Sequence, residues 1–249
     1  MNKDEIKISV ITVTYNSEST LADTMRSVAE QTYLPYEYII IDGMSTDGTL
    51  TIAEGFRKDF EAKGVRFDIV SEADNGIYDA MNKGIDRASG DIIGIINSDD
   101  WYERDALRVV ATEYEKEEFD LFYADVRMIK PDGSSFIKHA RDRKYATSRD
   151  WNHPTTFITG RTYDKYRYRT ETIHDDYDLI LRLKRDNVKT RVVNRTLADF
   201  RMNGVSHSRS IAAAIGSIKT KYAIYRRNGY GRGYILECVM VELGKLIIG

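Results

Sequence analysis

The 249 residues carry 37 basic and 39 acidic side chains, a formal charge of −2, so no overall field draws the chain to nucleic acid and any anionic ligand must be held locally. A single cysteine, Cys238, excludes an intramolecular disulfide framework or a cysteine-based zinc site and fits a reducing, cytoplasmic setting. The N-terminus is short and charged with no apolar signal core, and the most apolar tail, residues 234–248, carries Glu237, Glu242 and Lys245; neither export nor a membrane span is expected.

The length allows one sizeable core. Short β-branched runs alternate with amphipathic stretches over residues 1–100, which predicts βα units around a mixed, mostly parallel sheet. Residues 8–13 (ISVITV) form a continuous apolar run, expected as a strand covered on both faces. Ser17 or Ser19 then offers an N-cap to a helix that places Leu21, Met25 and Val28 on one face. Residues 38–41 make a second strand ending at Asp42, and residues 49–63 a helix that stops at Gly64. A third strand is expected at 65–70, a helix at 77–88, and a fourth strand at 91–96 that halts at Asn97-Ser98-Asp99-Asp100. Beyond it the pattern predicts a helix near 103–116, a strand at 121–126 and a hairpin turn at Pro131-Asp132-Gly133. A helix at 173–186 and two short strands at 191–193 and 197–201 follow. Two final helices, 210–227 and 234–248, flank a glycine-rich loop and are expected as a C-terminal appendage.

Polar residues collect at the carboxyl ends of the strands, the edge where open α/β sheets bind ligands. Asn97 to Asp100 form an oxygen-rich ledge of the kind Mg²⁺ or Mn²⁺ shares with substrate phosphates; equally, Ser98, Asp99 or Asp100 suits the N-cap of the next helix. Asp42, at a strand end, is placed to accept hydrogen bonds from a base or ribose, whereas Asp47 reads as a cap. A calcium loop starting at Asp42 fails, because Asp47 and Ala53 stand where glycine and glutamate are required. Asp79 and Lys83, four apart on a helix, suit either a ligand-side charge or an ordinary ion pair. Asp175, Asp176 and Asp178 open a helix, where they serve as caps and dipole partners or, if they face the crevice, supply a base for an acceptor hydroxyl. A phosphate-binding P-loop and a serine nucleophile elbow are both absent. Gly229, Gly231 and Gly233 only mimic a dinucleotide fingerprint, and His139, His153, His174 and His207 are too scattered for a zinc site.

Five motifs follow one another over roughly residues 6–207: residues 9–16 (SVITVTYN), 39–43 (IIIDG) with 45–49 (STDGT), 74–84 (DNGIYDAMNKG), 90–91 (GD) leading to 97–100 (NSDD), and 175–179 (DDYDL) with 181–183 (LRL). In this order they resemble the family 2 glycosyltransferases of GT-A fold that build bacterial polysaccharides. The resemblance implies a GT-A domain over residues 1–207, with a nucleotide-binding half of about 1–100 and an acceptor half of about 101–207, and an appendage at 208–249. It also implies a nucleotide-diphosphate sugar donor, with a UDP-sugar favoured, and a saccharide or lipid-linked acceptor. Thr14, Tyr15 and Asn16 would line the nucleotide pocket, Tyr15 offering its ring beside the base, and Asp42 would read the base edge. Asn75 and Lys83 would lie on the donor side, with Arg182 and Arg201 as further candidates for positive charge. Asn97-Ser98-Asp99 occupies the place of the family's DxD element, so Asp99 would hold Mg²⁺ or Mn²⁺. Asn97 departs from that pattern and suits a ribose hydrogen bond instead. Asp176 aligns with the general base of an inverting displacement, and Asp175 is its rival.

Residues 153–157 and 201–207 resemble segments bordering the acceptor, where His207 either completes the metal shell or is a surface histidine. The basic and tyrosine-rich final helices suit the inner face of an anionic membrane; a homodimer interface through Ile235, Val239, Leu243 and Leu246 explains their apolar positions equally well. Two rival functions are a sugar-phosphate nucleotidyltransferase, which lacks its glycine-rich basic loop here, and an inactive sugar-nucleotide binding module.

Overall fold

The first apolar run becomes β1 (Ile8–Thr14), buried at every position as a strand covered on both faces must be. The computed structural model describes residues 5–202 and 211–248. β2 (Glu37–Asp42), β3 (Arg66–Ser71) and β4 (Ile92–Ile95) lie parallel to β1 in the order β3-β2-β1-β4. The crossovers are α1 (Leu21–Ala29), α2 (Thr49–Gly55), α3 (Arg57–Ala62) and α4 (Ile77–Arg87). α1 buries Leu21, Met25 and Val28 as its spacing requires, but its N-cap is Thr20 rather than Ser17 or Ser19.

The helix expected over 49–63 is broken at Phe56. Gly55, a poor helix former, sits at the break, and the change of direction brings the Phe60 ring within 4.9 Å of Phe67 and 5.0 Å of Tyr38.

The second half adds β5 (Trp101–Tyr102), α5 (Ala106–Lys116), β6 (Leu121–Ile129) and β7 (Ser135–Lys138). A 3₁₀ turn (His153–Thr155), β8 (Phe157–Thr159), α6 (Gly160–Tyr163), α7 (Asp175–Arg185) and β9 (Thr190–Arg201) follow. The sheet continues from β4 as β8-β6-β9-β5, with β7 paired to β6 across the expected hairpin turn. β8 runs antiparallel to β4, with Phe157 opposite Gly94. The segment entering β8 therefore arrives at the same edge of the sheet that β4 leaves through residues 97–100.

The cap of α5 is Asp105, so Ser98, Asp99 and Asp100 do not start that helix; β5 intervenes. The two strands expected at 191–193 and 197–201 are one, β9, whose register against β6 shifts around Asp125. Asn194 sits at the irregularity and donates to Asp125 Oδ1 at 3.1 Å and to the Ala140 carbonyl at 2.9 Å, which makes good the interrupted ladder.

Each face of the sheet carries a hydrophobic layer. One gathers α1, α3 and α5; the other gathers α4, α7 and the last two helices, α8 (Ile211–Arg227) and α9 (Tyr234–Ile248). These helices pack into that second layer. Tyr225, Tyr234 and Cys238 are buried in the same cluster as Tyr177 and Leu181 of α7. Lys221 of α8 pairs with Glu242 of α9 at 2.6 Å, both side chains buried. Buried Asp178 of α7 accepts from Arg227 and Asn228 at 2.8 Å and from Arg182 at 2.9 Å. No described helix is long and apolar enough to cross a membrane.

Candidate active site

The loops leaving β1, β2 and β4 are bound into one floor. Asn16, held in the left-handed region at φ 48°, donates its N–H to Ser45 Oγ at 2.8 Å and accepts the Thr46 N–H at 2.9 Å. Ser17 donates its N–H to Thr49 Oγ1 at 2.7 Å, and its hydroxyl lies 2.8 Å from that of Ser98. A Cβ on Gly43 would stand 2.6 Å from Asp74 Oδ2 and 3.5 Å from the Tyr15 ring, so glycine there lets the loops after β1, β2 and β3 meet. Tyr15 is 64% exposed at this floor.

Asp42 is at this edge but wholly buried. Its oxygens accept from the Ser45 hydroxyl at 2.5 Å, the Ser45 N–H at 3.0 Å and the Ser71 hydroxyl at 2.6 Å. Its carboxylate is thus committed to fixing the loops after β2 and β3, and as arranged it presents no free edge to a base. Lys83 likewise serves its own loop, donating to the Ala73 carbonyl at 2.6 Å and pairing with Glu72 at 3.4 Å and Asp79 at 3.7 Å. Asn75 donates its N–H to Asp79 at 2.9 Å and stays exposed on the rim.

The β4 side differs in that polar atoms lack partners. Thr14 Oγ1, Asn97 Oδ1 and Asp100 Oδ2 are buried without a hydrogen bond, a state that costs on the order of 1–3 kcal/mol per group unless a ligand relieves it. Burial pushes the Asp99 carboxyl above the usual range, with Arg201 opposing. Arg201 itself pairs with Asp23 at 3.2 Å and stacks over Trp101 at 4.9 Å. A desolvated carboxylate beside an amide oxygen is a hard, incomplete donor set, which fits Mg²⁺ or Mn²⁺ that takes its other oxygens from water and phosphate. No group of three or more acidic, histidine or cysteine side chains suited to a metal occurs among the described residues, and His207 lies outside them.

The opposite wall is built by the antiparallel arrival of β8 and by the start of α7. Asn82 of α4 donates to the Tyr168 carbonyl at 2.9 Å and accepts the Tyr168 N–H at 3.1 Å, clamping the segment before α7 to the nucleotide half. Tyr78 stacks on Tyr168 at 5.4 Å and donates to the Ile173 carbonyl at 3.1 Å. Asp175 and Asp176 then part company. Asp175 is fully buried and accepts from Glu171 N–H at 2.6 Å, Thr172 N–H at 3.0 Å and Thr172 Oγ1 at 2.9 Å, with Arg227 at 3.6 Å. Asp176 is partly exposed, accepts the Tyr177 N–H at 2.7 Å and is hydrogen-bonded to the Tyr78 hydroxyl. Its charge acts on Tyr78, Tyr168, Lys138 and His153. Burial pushes the His153 imidazole down, with Asp176 opposing, and neither ring nitrogen has a hydrogen-bond partner. Arg182 is drawn into the Asp178 network. Tyr78 and Lys138 join the wall without having stood out in the sequence; only their place in the fold reveals them. Two other hollows, of about 330 Å³ beside Trp101 and about 480 Å³ between Lys144 and Arg185, lack the candidate residues.

Residues 9–180 match the family model described as Glycosyl transferase family 2. A PGL/p-HBAD biosynthesis glycosyltransferase of Mycobacterium bovis is 42% identical over 122 residues, 48% of this chain and 46% of that protein, so the match spans just under half the length of that curated relative. Two solved structures share the fold at low identity. S. aureus TarS 1-349 in complex with UDP-GlcNAc has a TM-score of 0.67 at 18% identity, covering 96% of this chain and 72% of that one. The mannosyltransferase PcManGT from Pyrobaculum calidifontis, in complex with GDP-Man and Mn²⁺, has a TM-score of 0.69 at 15% identity, covering 98% and 70%.

Proposed function

This chain belongs to glycosyl transferase family 2 and has the GT-A fold, and from that premise we propose that it is an inverting glycosyltransferase. It moves a sugar from a nucleotide-diphosphate donor, a UDP-sugar by preference, to a hydroxyl of a saccharide or lipid-linked acceptor in surface polysaccharide synthesis. One observation carries the reading. A desolvated Asp99 and an unpartnered Asn97 oxygen follow β4, and Asp176 opens α7 partly exposed with the Tyr177 N–H and the Tyr78 hydroxyl as its described partners, which supports reading the first pair as the donor side and Asp176 as the base.

The Tyr15 ring supports the base, while Thr14 Oγ1 and Asn97 Oδ1, which have no hydrogen-bond partner in the protein, accept from ribose hydroxyls. Bound at Asp99, Mg²⁺ or Mn²⁺ supplies positive charge to the donor diphosphate. Asp176 takes the proton of the acceptor hydroxyl as that oxygen attacks the anomeric carbon. The bond from that carbon to the β-phosphate oxygen breaks, its electron pair leaves with the nucleoside diphosphate, and a single displacement inverts the centre. Asp175, saturated by its own loop, holds the start of α7 and is set aside as the base.

Contact with a lipid surface or a second copy through α8 and α9 belongs to the same proposal. The exposed apolar stripe of α9 is Leu236, Met240 and Leu243, while Ile235 and Val239 are half-buried.

Two variants test the roles. Asp176→Asn should bind UDP with Mn²⁺ as the parent does and lose transfer by about 10²–10⁴-fold; normal turnover would move the base elsewhere. Asp99→Ala should lose Mn²⁺-dependent UDP affinity in calorimetry, and an unchanged affinity would remove Asp99 from the metal site.

A further inference from the structure

The last helix turns its charges inward and leaves apolar side chains outside. Over residues 234–244 of α9 no charged side chain is exposed. Glu242 pairs with Lys221 at 2.6 Å, and Glu237 accepts from the Tyr225 hydroxyl at 3.2 Å and the Ser148 hydroxyl at 3.3 Å. Leu236, Met240 and Leu243, at i, i+4 and i+7 along one face, are 66%, 63% and 49% exposed. A surface helix normally shows the reverse, with its charged residues in water and its apolar stripe on the core. One exposed leucine is ordinary, but a contiguous stripe of three marks a face that something covers.

The rim of that stripe is basic and aromatic. Tyr145, 56% exposed, lies flat on Tyr234 at the start of α9, with ring centroids 4.4 Å apart and planes at 5°. Lys144 precedes it in the chain, Arg232 stands two residues before α9, and the Arg149 guanidinium lies 3.4 Å from where a Cβ on Gly244 would be. All three cations are exposed and form no ion pair within 4.0 Å among the described residues, while the acids beside them in the chain, Asp142 and Asp150, are held by Lys184 and Arg143.

We propose that α9 docks on an anionic lipid surface, with Leu236, Met240 and Leu243 entering the acyl boundary, Lys144, Arg149 and Arg232 meeting the headgroups, and Tyr145 lying between the two zones. This rests on the contact through α9 proposed above and fixes its partner. A second copy is the poorer fit. Pairing two stripes about a two-fold axis brings the same three cations of each protomer to one rim, where like charges oppose association. Lipid phosphate supplies the opposite sign.

Sedimentation of the full chain with vesicles tests this. The parent should bind vesicles of phosphatidylglycerol mixed with phosphatidylcholine roughly tenfold or more tightly than phosphatidylcholine alone, and that margin should shrink as salt is raised. The combined variant Leu236→Gln, Met240→Gln, Leu243→Gln should bind the mixed vesicles roughly tenfold or more weakly, and should melt with the parent because these side chains are exposed. The combined variant Lys144→Gln, Arg149→Gln, Arg232→Gln should bind both vesicles alike. The parent's comparison of the two vesicles requires no variant to fold. Equal binding of the parent to both vesicles, binding to neither, or binding untouched by the apolar substitutions overturns the proposal. So does a parent dimer in sedimentation equilibrium that the apolar substitutions dissociate, since it gives the face to a second copy. Donor binding is a separate readout: a parent that sediments with lipid but binds no UDP with Mn²⁺ removes the donor assignment and leaves the docking face standing, and the opposite pair of results does the reverse.

Discussion

Four carboxylates of the motifs, Asp42, Asp99, Asp175 and Asp176, are alike in type and are separated by their partners. Asp42 and Asp175 are consumed by neighbouring serine, threonine and backbone donors, whereas Asp99 and Asp176 are not. Sequence reading places all four at strand or helix ends, because that much follows from where apolar runs stop. It does not see which hydroxyls fold back. A further carboxylate offers a direct test of the electrostatics. Burial pushes Asp199 up to about 6 despite Arg127 at 3.1 Å. The folded state therefore holds this proton more tightly than the unfolded chain, whose group titrates near the ordinary value of about 4. That contribution to stability is complete below about pH 4 and is lost as the pH rises through 6. Urea denaturation across this window should show stability falling, and Asp199→Asn should flatten the fall; an identical slope in the variant would place the effect in another group.

At the scale of elements, long periodic segments were legible and short ones were not. β1, β2, α4 and α7 appear close to their expected bounds, since each buries a face over several turns or a full strand. β5 has two residues and β8 three, too few for a period to register, and both depend on pairing with distant partners. The same non-local pairing joined 190–201 into one strand. Close packing behind the motif at 74–84 yields a prediction of its own. A Cβ on Gly84 would stand 2.5 Å from Ile11 Cγ2, so α4 lies directly on β1 at this point. Gly84→Ala should destabilise the chain by about 1–3 kcal/mol through overpacking, in spite of the better helix propensity of alanine. A gain in the urea midpoint would mean that α4 shifts freely.

For the molecule as a whole, the expected division at residue 207 is a boundary in sequence more than in packing. The layer over one sheet face is completed by α8 and α9, and removing them would strip cover from Tyr177 and leave Asp178 without Arg227 and Asn228. A chain ending at residue 202 should therefore bind hydrophobic dye and lose its cooperative thermal transition. A truncated chain that melts like the parent would restore the idea of a dispensable tail.

Between the two halves, the paired hydrogen bonds from Asn82 to the Tyr168 backbone act as a spacer of fixed length. On the function proposed here, the gap between leaving group and nucleophile would be gauged by the polypeptide before either substrate arrives. An acceptor too long or too short for that gauge would then meet a misaligned donor, so selectivity would be exercised by dimension as well as by contact.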